Sequence, residues 1–585
     1  MKTKRIARWL AAVLALSLLS GCAHTARTPA PTTAPTAVPT AAPTPAPTPS
    51  PAPTPEPTAV STLALTEIPL CADGIHADVA FEDMRWYLYD MTEFNARAEA
   101  LARTGDEIEA QALYDWLLTE YDRISTLDEL AWIWFYRDGT EDSSAACQVT
   151  DEILTQAGDT LHAAVADALA GPLPGDFAEY VGRDNAEILS DYEEMTDRET
   201  EILRRETELE LAYNELMSEE GFSEPELNYR AGEILLELVA LRNELAVIYG
   251  YDSFADYAYE VYYARDFTPA EAARLCEEIK PYARGYYKNC CYCSAFYADM
   301  HGRDNRSGEE LLGLLRGFAP EISPRAAEAE KYMEDHGLYC LRNDVAEMGF
   351  TTSLPLYNAP FLFNSLYGTI YDIQSTFHEF GHYYDAYINP PENTLTEMGS
   401  FDIFEIHSTG LEALSYGWYD EIFGDAAEEA KIWCLDGLMY NIISGCIYDE
   451  FQQYLYAHPD MTVDEINAAY ARIAQSYGRE LYSNSEAYEW IYVSHNFESP
   501  LYYISYAVST LASVQLWSLS QEDRAAAFRL YNRLVERGAF DVGYVELMGE
   551  MGLRSFTDGL EPALRDFYDE LESMCLRYDS LSKAA

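Results

Sequence analysis

The chain of 585 residues carries 38 Lys and Arg against 99 Asp and Glu, which gives a formal net charge of −61 at pH 7. A surface that reads nucleic-acid phosphates needs a basic face, so this excess of carboxylates argues against a nucleic-acid binder. Hydrophobic residues make up 48% of the chain, which supports a large core and confines any disorder to local segments.

The first 21 residues have the features of a secretory signal peptide. Four basic residues precede an apolar run from Trp9 to Leu19, which is too short to span a bilayer. The run ends in Leu19-Ser20-Gly21-Cys22, which resembles a bacterial lipobox. That resemblance implies cleavage before Cys22, lipidation of its thiol and an extracytoplasmic protein anchored to the bacterial cell membrane. The alternative is an ordinary cleaved signal without a lipid.

Residues 22–60 form a predicted tether between the lipidated Cys22 and the folded body. From Thr28 to Thr58 the chain is almost wholly Pro, Thr and Ala. This composition cannot bury a core and favours an extended polyproline II conformation. We therefore predict a spacer and exclude it from the fold. The alternative is a structureless remnant of export.

After residue 61 the sequence is typical of a mainly α-helical fold. Apolar residues recur at i, i+3, i+4 and i+7 over long stretches that contain few Gly or Pro. The segment from Gly349 to Thr369 departs from this pattern, because it contains two prolines and a short apolar run at Phe361-Leu362-Phe363. This segment predicts an edge strand or an extended loop directly before the motif described next.

His378-Glu379-Phe380-Gly381-His382 is an HExxH motif within the helical periodicity of residues 370–387. Positions i and i+4 of a helix lie on one face, so the imidazoles of His378 and His382 can bind one Zn²⁺. Glu379 lies beside that face, where its carboxylate can take a proton from zinc-activated water. The motif therefore predicts one catalytic zinc per chain.

A catalytic zinc site needs a third protein ligand and one open position. The best-placed carboxylates are Glu405 and Glu412, in the next predicted helix, FDIFEIHSTGLEALSYGW. They are seven residues apart, two helical turns on one face, so one can bind zinc while the other supports a ligand histidine. His407 faces another direction and is interpreted as structural. We therefore disfavour a site built from histidines alone.

HEFGH followed by FEIHSTGLE, with Glu405 27 residues after His378, resembles the M3 family of zinc metallopeptidases, the thimet oligopeptidase and oligoendopeptidase F group. The resemblance implies that Glu405 is the third zinc ligand and that Glu412 supports the site. It also implies a large, mainly α, two-lobed fold of the gluzincin type. We divide it into an N-terminal helical lobe, residues 61–345, and a catalytic helical region, residues 346–585.

The stretch SHNFESPLYYISYA resembles the family segment in which a His and nearby Tyr residues approach the substrate carbonyl opposite the zinc. His495 corresponds to that His, and Tyr506 corresponds to the last Tyr. The middle Tyr is open between Tyr503 and Tyr502, which precede Tyr506 by three and four residues. The resemblance implies catalytic roles for these side chains. Packing in the core is the alternative for each tyrosine.

These features predict a zinc-dependent oligoendopeptidase that hydrolyses peptide bonds in short peptides. An extended edge near residues 361–363 could pair with the substrate backbone. The restriction to short peptides is implied by the family, whose helical halves enclose a deep channel. Two alternatives stay open: a related helical exopeptidase that trims chain ends, and a lipoprotein that binds peptides without cutting them.

Overall fold

The computed structural model describes residues 68–171, 173, 176–190, 196–218, 221–296, 305–346, 348–391, 394–395, 399–481, 485–559 and 562–584. The predicted signal peptide, lipidation residue Cys22 and tether lie outside these residues. Within the described chain, helices dominate and one small sheet lies among them. No helix of the described residues combines the length and apolar character needed to cross a membrane.

Eleven helices of the described chain precede the sheet: α1 (Thr92–Arg103), α2 (Glu107–Asp138), α3 (Glu141–Ala170), α4 (Asp176–Val181), α5 (Arg183–Ser190), α6 (Asp197–Ser218), α7 (Glu224–Ile248), α8 (Phe254–Tyr257), α9 (Pro269–Asn289), α10 (Gly308–Ile322) and α11 (Pro324–His336). Nine described helices follow it: α12 (Tyr371–Ile388), α13 (Phe401–Ser415), α14 (Tyr419–Phe423), α15 (Ala427–Ala457), α16 (Val463–Ser476), α17 (Ile504–Glu522), α18 (Arg524–Arg537), α19 (Tyr544–Met551) and α20 (Pro562–Ala584).

Local sequence determines where several of these helices begin. A Ser or Thr at the N-cap accepts a hydrogen bond from the backbone three residues later, and a Glu at that position bonds back to the cap. This capping box starts α9, α10 and α16, at Thr268 and Glu271, Ser307 and Glu310, and Thr462 and Glu465. Each pair satisfies backbone N–H groups that the first helical turn leaves without an acceptor.

The sheet has three strands in the order β1 (Tyr339–Arg342), β3 (Ala359–Ser365), β2 (Gly349–Leu354). β1 pairs with β3 in parallel, and β2 pairs with β3 in antiparallel fashion. The two strands after residue 348 confirm the predicted extended segment. Because β1 also belongs to this sheet, the predicted division at residues 345 and 346 passes between two of its strands. The division into lobes stays a prediction.

The placement of residues 361–363 at an edge of the sheet is wrong. They lie in β3, which is paired on both sides, and every residue of β3 is buried. A continuous apolar run is typical of a strand covered on both faces, which explains this central position. The edge strand beside the HExxH helix is β2 instead. The prediction of a mainly α fold with a small strand region beside this helix is confirmed.

α12 and α13 lie in the interior of the main hydrophobic core, where α12 packs between the sheet and α13. Gly381 of α12 makes a close approach possible. A Cβ atom at Gly381 would lie 2.4 Å from the carbonyl oxygen of His407 and 2.7 Å from the Cα of Ser408. Glycine at this position therefore lets the two helices cross backbone against backbone.

We expect Gly381→Ala to lower the free energy of unfolding by about 2–3 kcal/mol, because the added methyl group must push α13 away from α12. Gly313→Ala in α10 is the matched control, since a Cβ there meets no atom within 4 Å. The control should stabilise the protein by about 0.5–1 kcal/mol, as alanine is the better helix former. Denaturant unfolding of both variants measures these effects, and equal stability of the two would contradict the close crossing.

Candidate metal centre

The side chains of His378, His382 and Glu405 converge between α12 and α13. Glu405 Oε2 lies 3.7 Å from His378 Nε2 and 3.8 Å from His382 Nε2. The ligand atoms of the three residues all lie within 4.8 Å of one another. Zinc bonds of about 2.0–2.2 Å at tetrahedral angles place such donor atoms roughly 3.3–3.5 Å apart. Two imidazoles and a carboxylate at this spacing fit a divalent metal ion.

Burial keeps both imidazoles in the form that binds a metal. It lowers the pKa of His378, and it lowers the pKa of His382 to about 4, while the nearby Glu405 acts in the opposite direction. Neutral imidazole has a free nitrogen lone pair, which protonation would occupy. The two histidines are therefore ready to act as ligands at neutral pH.

Neighbouring side chains orient these three groups. Glu412 Oε2 lies 3.6 Å from His378 Nδ1, which leaves Nε2 of the same ring facing Glu405. The hydroxyl groups of Ser408 and Tyr502 donate to separate oxygens of Glu405, over 3.1 Å and 2.9 Å respectively. In metal sites, a carboxylate commonly holds a ligand histidine, and a hydrogen-bond donor commonly holds a ligand carboxylate. Such contacts fix the direction of the ligand atoms.

Glu379 points from α12 towards the edge strand β2. Its side chain is buried, and Thr351 of β2 donates to its Oε2 over 3.1 Å. Burial raises the pKa of Glu379 well above its ordinary value, and the Thr351 hydrogen bond partly opposes this effect. Gly349 leaves room for the carboxyl group, because a Cβ there would lie 3.0 Å from Glu379 Oε1. The site thus holds a carboxyl group that readily binds a proton.

The structure also brings together the predicted His495, Tyr503 and Tyr506. The His495 ring centroid lies 5.2 Å from that of Tyr503 and 6.0 Å from that of Tyr506. His495 Nε2 and the Tyr506 hydroxyl are 3.5 Å apart. Tyr502 joins the same aromatic cluster, and only 5.3 Å separates its ring centroid from that of His495.

Tyr502 and Tyr503 have different partners, although sequence spacing could not separate them. The Tyr502 hydroxyl donates to Glu405, whereas the Tyr503 ring packs edge-on against Tyr448 with 4.9 Å between centroids. Burial raises the pKa of Tyr503, so its hydroxyl keeps its proton at neutral pH. Tyr502 therefore lies where it can support the metal ligand, and Tyr503 keeps a proton that it can donate.

The tyrosines lie in a turn and the start of α17, residues 501–506, which together we call the tyrosine turn. No sequence pattern indicated the side chains that hold this turn in place. Leu501 has a φ angle of 66°, a strained conformation for a branched residue. Arg265 is buried, donates to the carbonyl oxygen of Leu501 over 3.0 Å and to Ser505 Oγ over 2.9 Å, and pairs with Asp402 at the start of α13. Because Arg265 is more than 200 residues from Leu501, no local pattern indicates this contact.

His407, which the sequence analysis interpreted as structural, lies apart from the three candidate ligands. Its side chain is fully buried, and its Nδ1 lies 3.1 Å from Asp385 Oδ1 of α12. Neither residue belongs to a candidate metal-binding group among the described residues. The contact is a further link between α13 and α12, made by the residue whose carbonyl lies against Gly381.

Neither a family model nor a curated protein matches the sequence. Solved structures do match it. A protein assigned as oligoendopeptidase F superposes with a TM-score of 0.70 at 22% identity, over 85% of this chain and 98% of the other. An assigned oligoendopeptidase F from Bacillus anthracis gives a TM-score of 0.68 at 19% identity, over 86% and 99%. The chain has the oligoendopeptidase F-like fold.

Carboxypeptidases share this fold. Metallocarboxypeptidase 1 of Trypanosoma cruzi superposes with a TM-score of 0.56 at 14% identity, over 82% of this chain and 99% of the other. Identities this low establish the fold alone. The function of this chain must therefore be argued from its own side chains.

We expect Tyr502→Phe to weaken metal binding about 10-fold, because it removes a donor that orients Glu405. Tyr503→Phe is the matched control and should leave the metal dissociation constant unchanged. Competition with a chromophoric chelator measures both constants. Equal effects of the two substitutions would show that the Tyr502 hydroxyl does not support the ligand set.

Proposed function

We propose that this protein is a zinc-dependent oligoendopeptidase that hydrolyses peptide bonds in short peptides. One observation carries the proposal: His378, His382 and Glu405 converge on one point, and the separate carboxyl group of Glu379 lies beside them. The oligoendopeptidase F-like fold supports a peptidase, and the presence of a metallocarboxypeptidase among its matches supports a metal.

Zn²⁺ held by His378, His382 and Glu405 would supply Lewis acidity, which polarises a peptide carbonyl and lowers the pKa of water. Glu379 takes the proton of the attacking water and delivers it to the leaving amine. Its raised pKa suits this role, because the carboxyl group must hold the proton between the two transfers. Thr351 holds the carboxyl group in place through its hydrogen bond to Oε2.

The edge of β2 that does not pair with β3 is where we expect an extended substrate to pair. β2 is hydrogen-bonded to β3 on one side, and Thr351 in its middle contacts Glu379. Backbone pairing along this edge would place a peptide bond next to the general base, and it would depend little on the side chains of the substrate. This assigns backbone recognition to residues 349–354 rather than to residues 361–363.

Tyr506, Tyr503 and His495 would donate hydrogen bonds to the carbonyl oxygen as it becomes negatively charged. The three side chains are almost fully buried and form one cluster, so the donors are positioned before the reaction begins. Fixed donors in a site of low dielectric stabilise such charge more strongly than water does.

Glu379→Gln should reduce peptide hydrolysis by about 10²–10⁴-fold, because the amide cannot accept the proton. Its metal content should stay that of the unmodified protein, since Glu379 is not in the ligand set. Glu421→Gln, an exposed residue of α14, is the matched control and should change neither quantity. Hydrolysis of quenched peptides measures the activity, and metal analysis of the purified protein measures the metal content. Full activity of Glu379→Gln would overturn the mechanism.

A second assay separates the two alternative functions. Mass spectrometry of products from one unlabelled peptide shows internal cuts for an endopeptidase and a ladder of shortened chains for an exopeptidase. The carboxypeptidases with this fold make the second pattern the specific alternative. Bound peptide without any product, in the metal-loaded protein, would instead indicate a peptide-binding lipoprotein.

We also propose that the chain is exported and anchored to the cell membrane through a lipid on Cys22. The basic residues, the short apolar run and the Leu19-Ser20-Gly21-Cys22 sequence support this location. Cys22→Ser should move the protein from the membrane fraction to the soluble fraction and abolish labelling by a fatty acid analogue. Membrane retention and labelling of the variant would contradict the assignment.

A further inference from the structure

A second group of potential metal ligands lies at the amino-terminal end of the described chain. Cys71, Asp78 and His336 each direct a ligand atom to one place, and these atoms all lie within 4.8 Å of one another. His336 Nε2 is 4.0 Å from Cys71 Sγ and 3.2 Å from Asp78 Oδ1. None of the three belongs to the candidate metal centre.

Cys71 and Asp78 are held in place by a hairpin, residues 69–78. The N–H of Cys71 donates to the carbonyl oxygen of His76 over 2.8 Å, and the N–H of Asp78 donates to that of Pro69 over 2.7 Å. The hairpin is fixed to the body, because Ala77 bonds through its N–H to the Tyr357 carbonyl. The positions of both side chains therefore depend on an ordered backbone.

His336 comes from a distant segment, as the last residue of α11. Its Nδ1 lies 3.0 Å from the Tyr332 carbonyl oxygen, which can only accept a hydrogen bond. A neutral ring that donates from Nδ1 to this carbonyl presents the lone pair of Nε2 to Cys71 and Asp78, as a metal ligand must. A backbone carbonyl in this position is the usual partner of a metal-binding histidine.

We propose that Cys71 Sγ, Asp78 Oδ1 and His336 Nε2 form a second zinc site, which ties the hairpin to α11. Tetrahedral zinc with bonds of about 2.0–2.3 Å places sulfur, nitrogen and oxygen donors roughly 3.3–3.6 Å apart. The 3.2 Å between His336 and Asp78 is close to this range, and the sulfur at 4.0 Å from His336 must move a few tenths of an ångström to bind. A thiolate with an imidazole selects zinc over Ca²⁺ and Mg²⁺, which bind oxygen ligands. Binding releases the thiol proton, and water completes the coordination.

The surrounding charge and the state of Cys71 favour a cation here. Burial raises the pKa of the Cys71 thiol, and the carboxylates of Asp78, Asp73 and Asp335 raise it further, so the site faces a negative potential. A bound cation offsets this effect and stabilises the thiolate. Cys71 is a free cysteine, like the other cysteines of the described chain, so its sulfur is available to a metal.

Cobalt substitution tests the site in the full chain. Thiolate ligands give Co²⁺ an intense near-ultraviolet charge-transfer band, and the candidate metal centre contains no cysteine, so the band distinguishes a thiolate site from that centre. We expect this band and two bound zinc ions per chain. Cys71→Ser and His336→Gln should each lose the band and one zinc, with an unchanged near-ultraviolet circular dichroism spectrum to show that the fold is retained.

Two controls make the result specific. Cys291→Ser, at another half-buried cysteine, should keep the band and both zinc ions. Glu405→Gln should keep the band even though it disables the candidate metal centre, which makes the two sites independent. A single zinc per chain without a band, or a band that persists in Cys71→Ser, would overturn the second site and leave the proposed peptidase function untouched.

Discussion

The close crossing of α12 and α13 at Gly381 is the contact on which the candidate metal centre depends. It places the backbone of α13 directly against the helix that carries His378 and His382, so Glu405 reaches both imidazoles from the neighbouring helix. A larger residue at Gly381 would separate the helices and widen every one of these distances. The same crossing keeps the ligands inside the main core, where burial lowers the pKa values of the two histidines.

This location has an energetic consequence, because polar groups taken out of water are costly unless they find partners. Further polar side chains surround the candidate ligands: Glu412 lies beside His378, and Ser408 and Tyr502 donate to Glu405. The tyrosine turn carries strain at Leu501 and is held by the buried Arg265. Strained residues persist only where the surrounding structure fixes them, which is typical of functional sites.

Local patterns predicted the parts of this site that depend on neighbours in sequence. The i and i+4 spacing placed His378 and His382 on one helical face, and the continuous apolar run of residues 361–363 indicated a strand. The order of strands in the sheet, however, depends on pairing between separate segments of the chain. Residues 361–363 therefore lie in the central strand, and β2 is an edge strand. Contacts such as Arg265 with Leu501, or His336 with Cys71, join segments more than 200 residues apart and leave no periodic signal.

Glu379 and Glu405, two of the carboxylates of the candidate site, lie in different surroundings although their side chains are identical. Glu405 receives hydroxyl hydrogen bonds on both oxygens, from Tyr502 and Ser408, and these donors fix the direction of its carboxylate. Glu379 receives one hydroxyl donor, from Thr351, and its burial raises its pKa well above the ordinary value, which favours the protonated form. Both residues are about 1% exposed, and they differ in the side chains that contact their carboxylate oxygens. These contacts direct Glu405 towards the two histidines, as the proposed metal binding requires, and they hold Glu379 beside β2, as the proposed proton transfer requires.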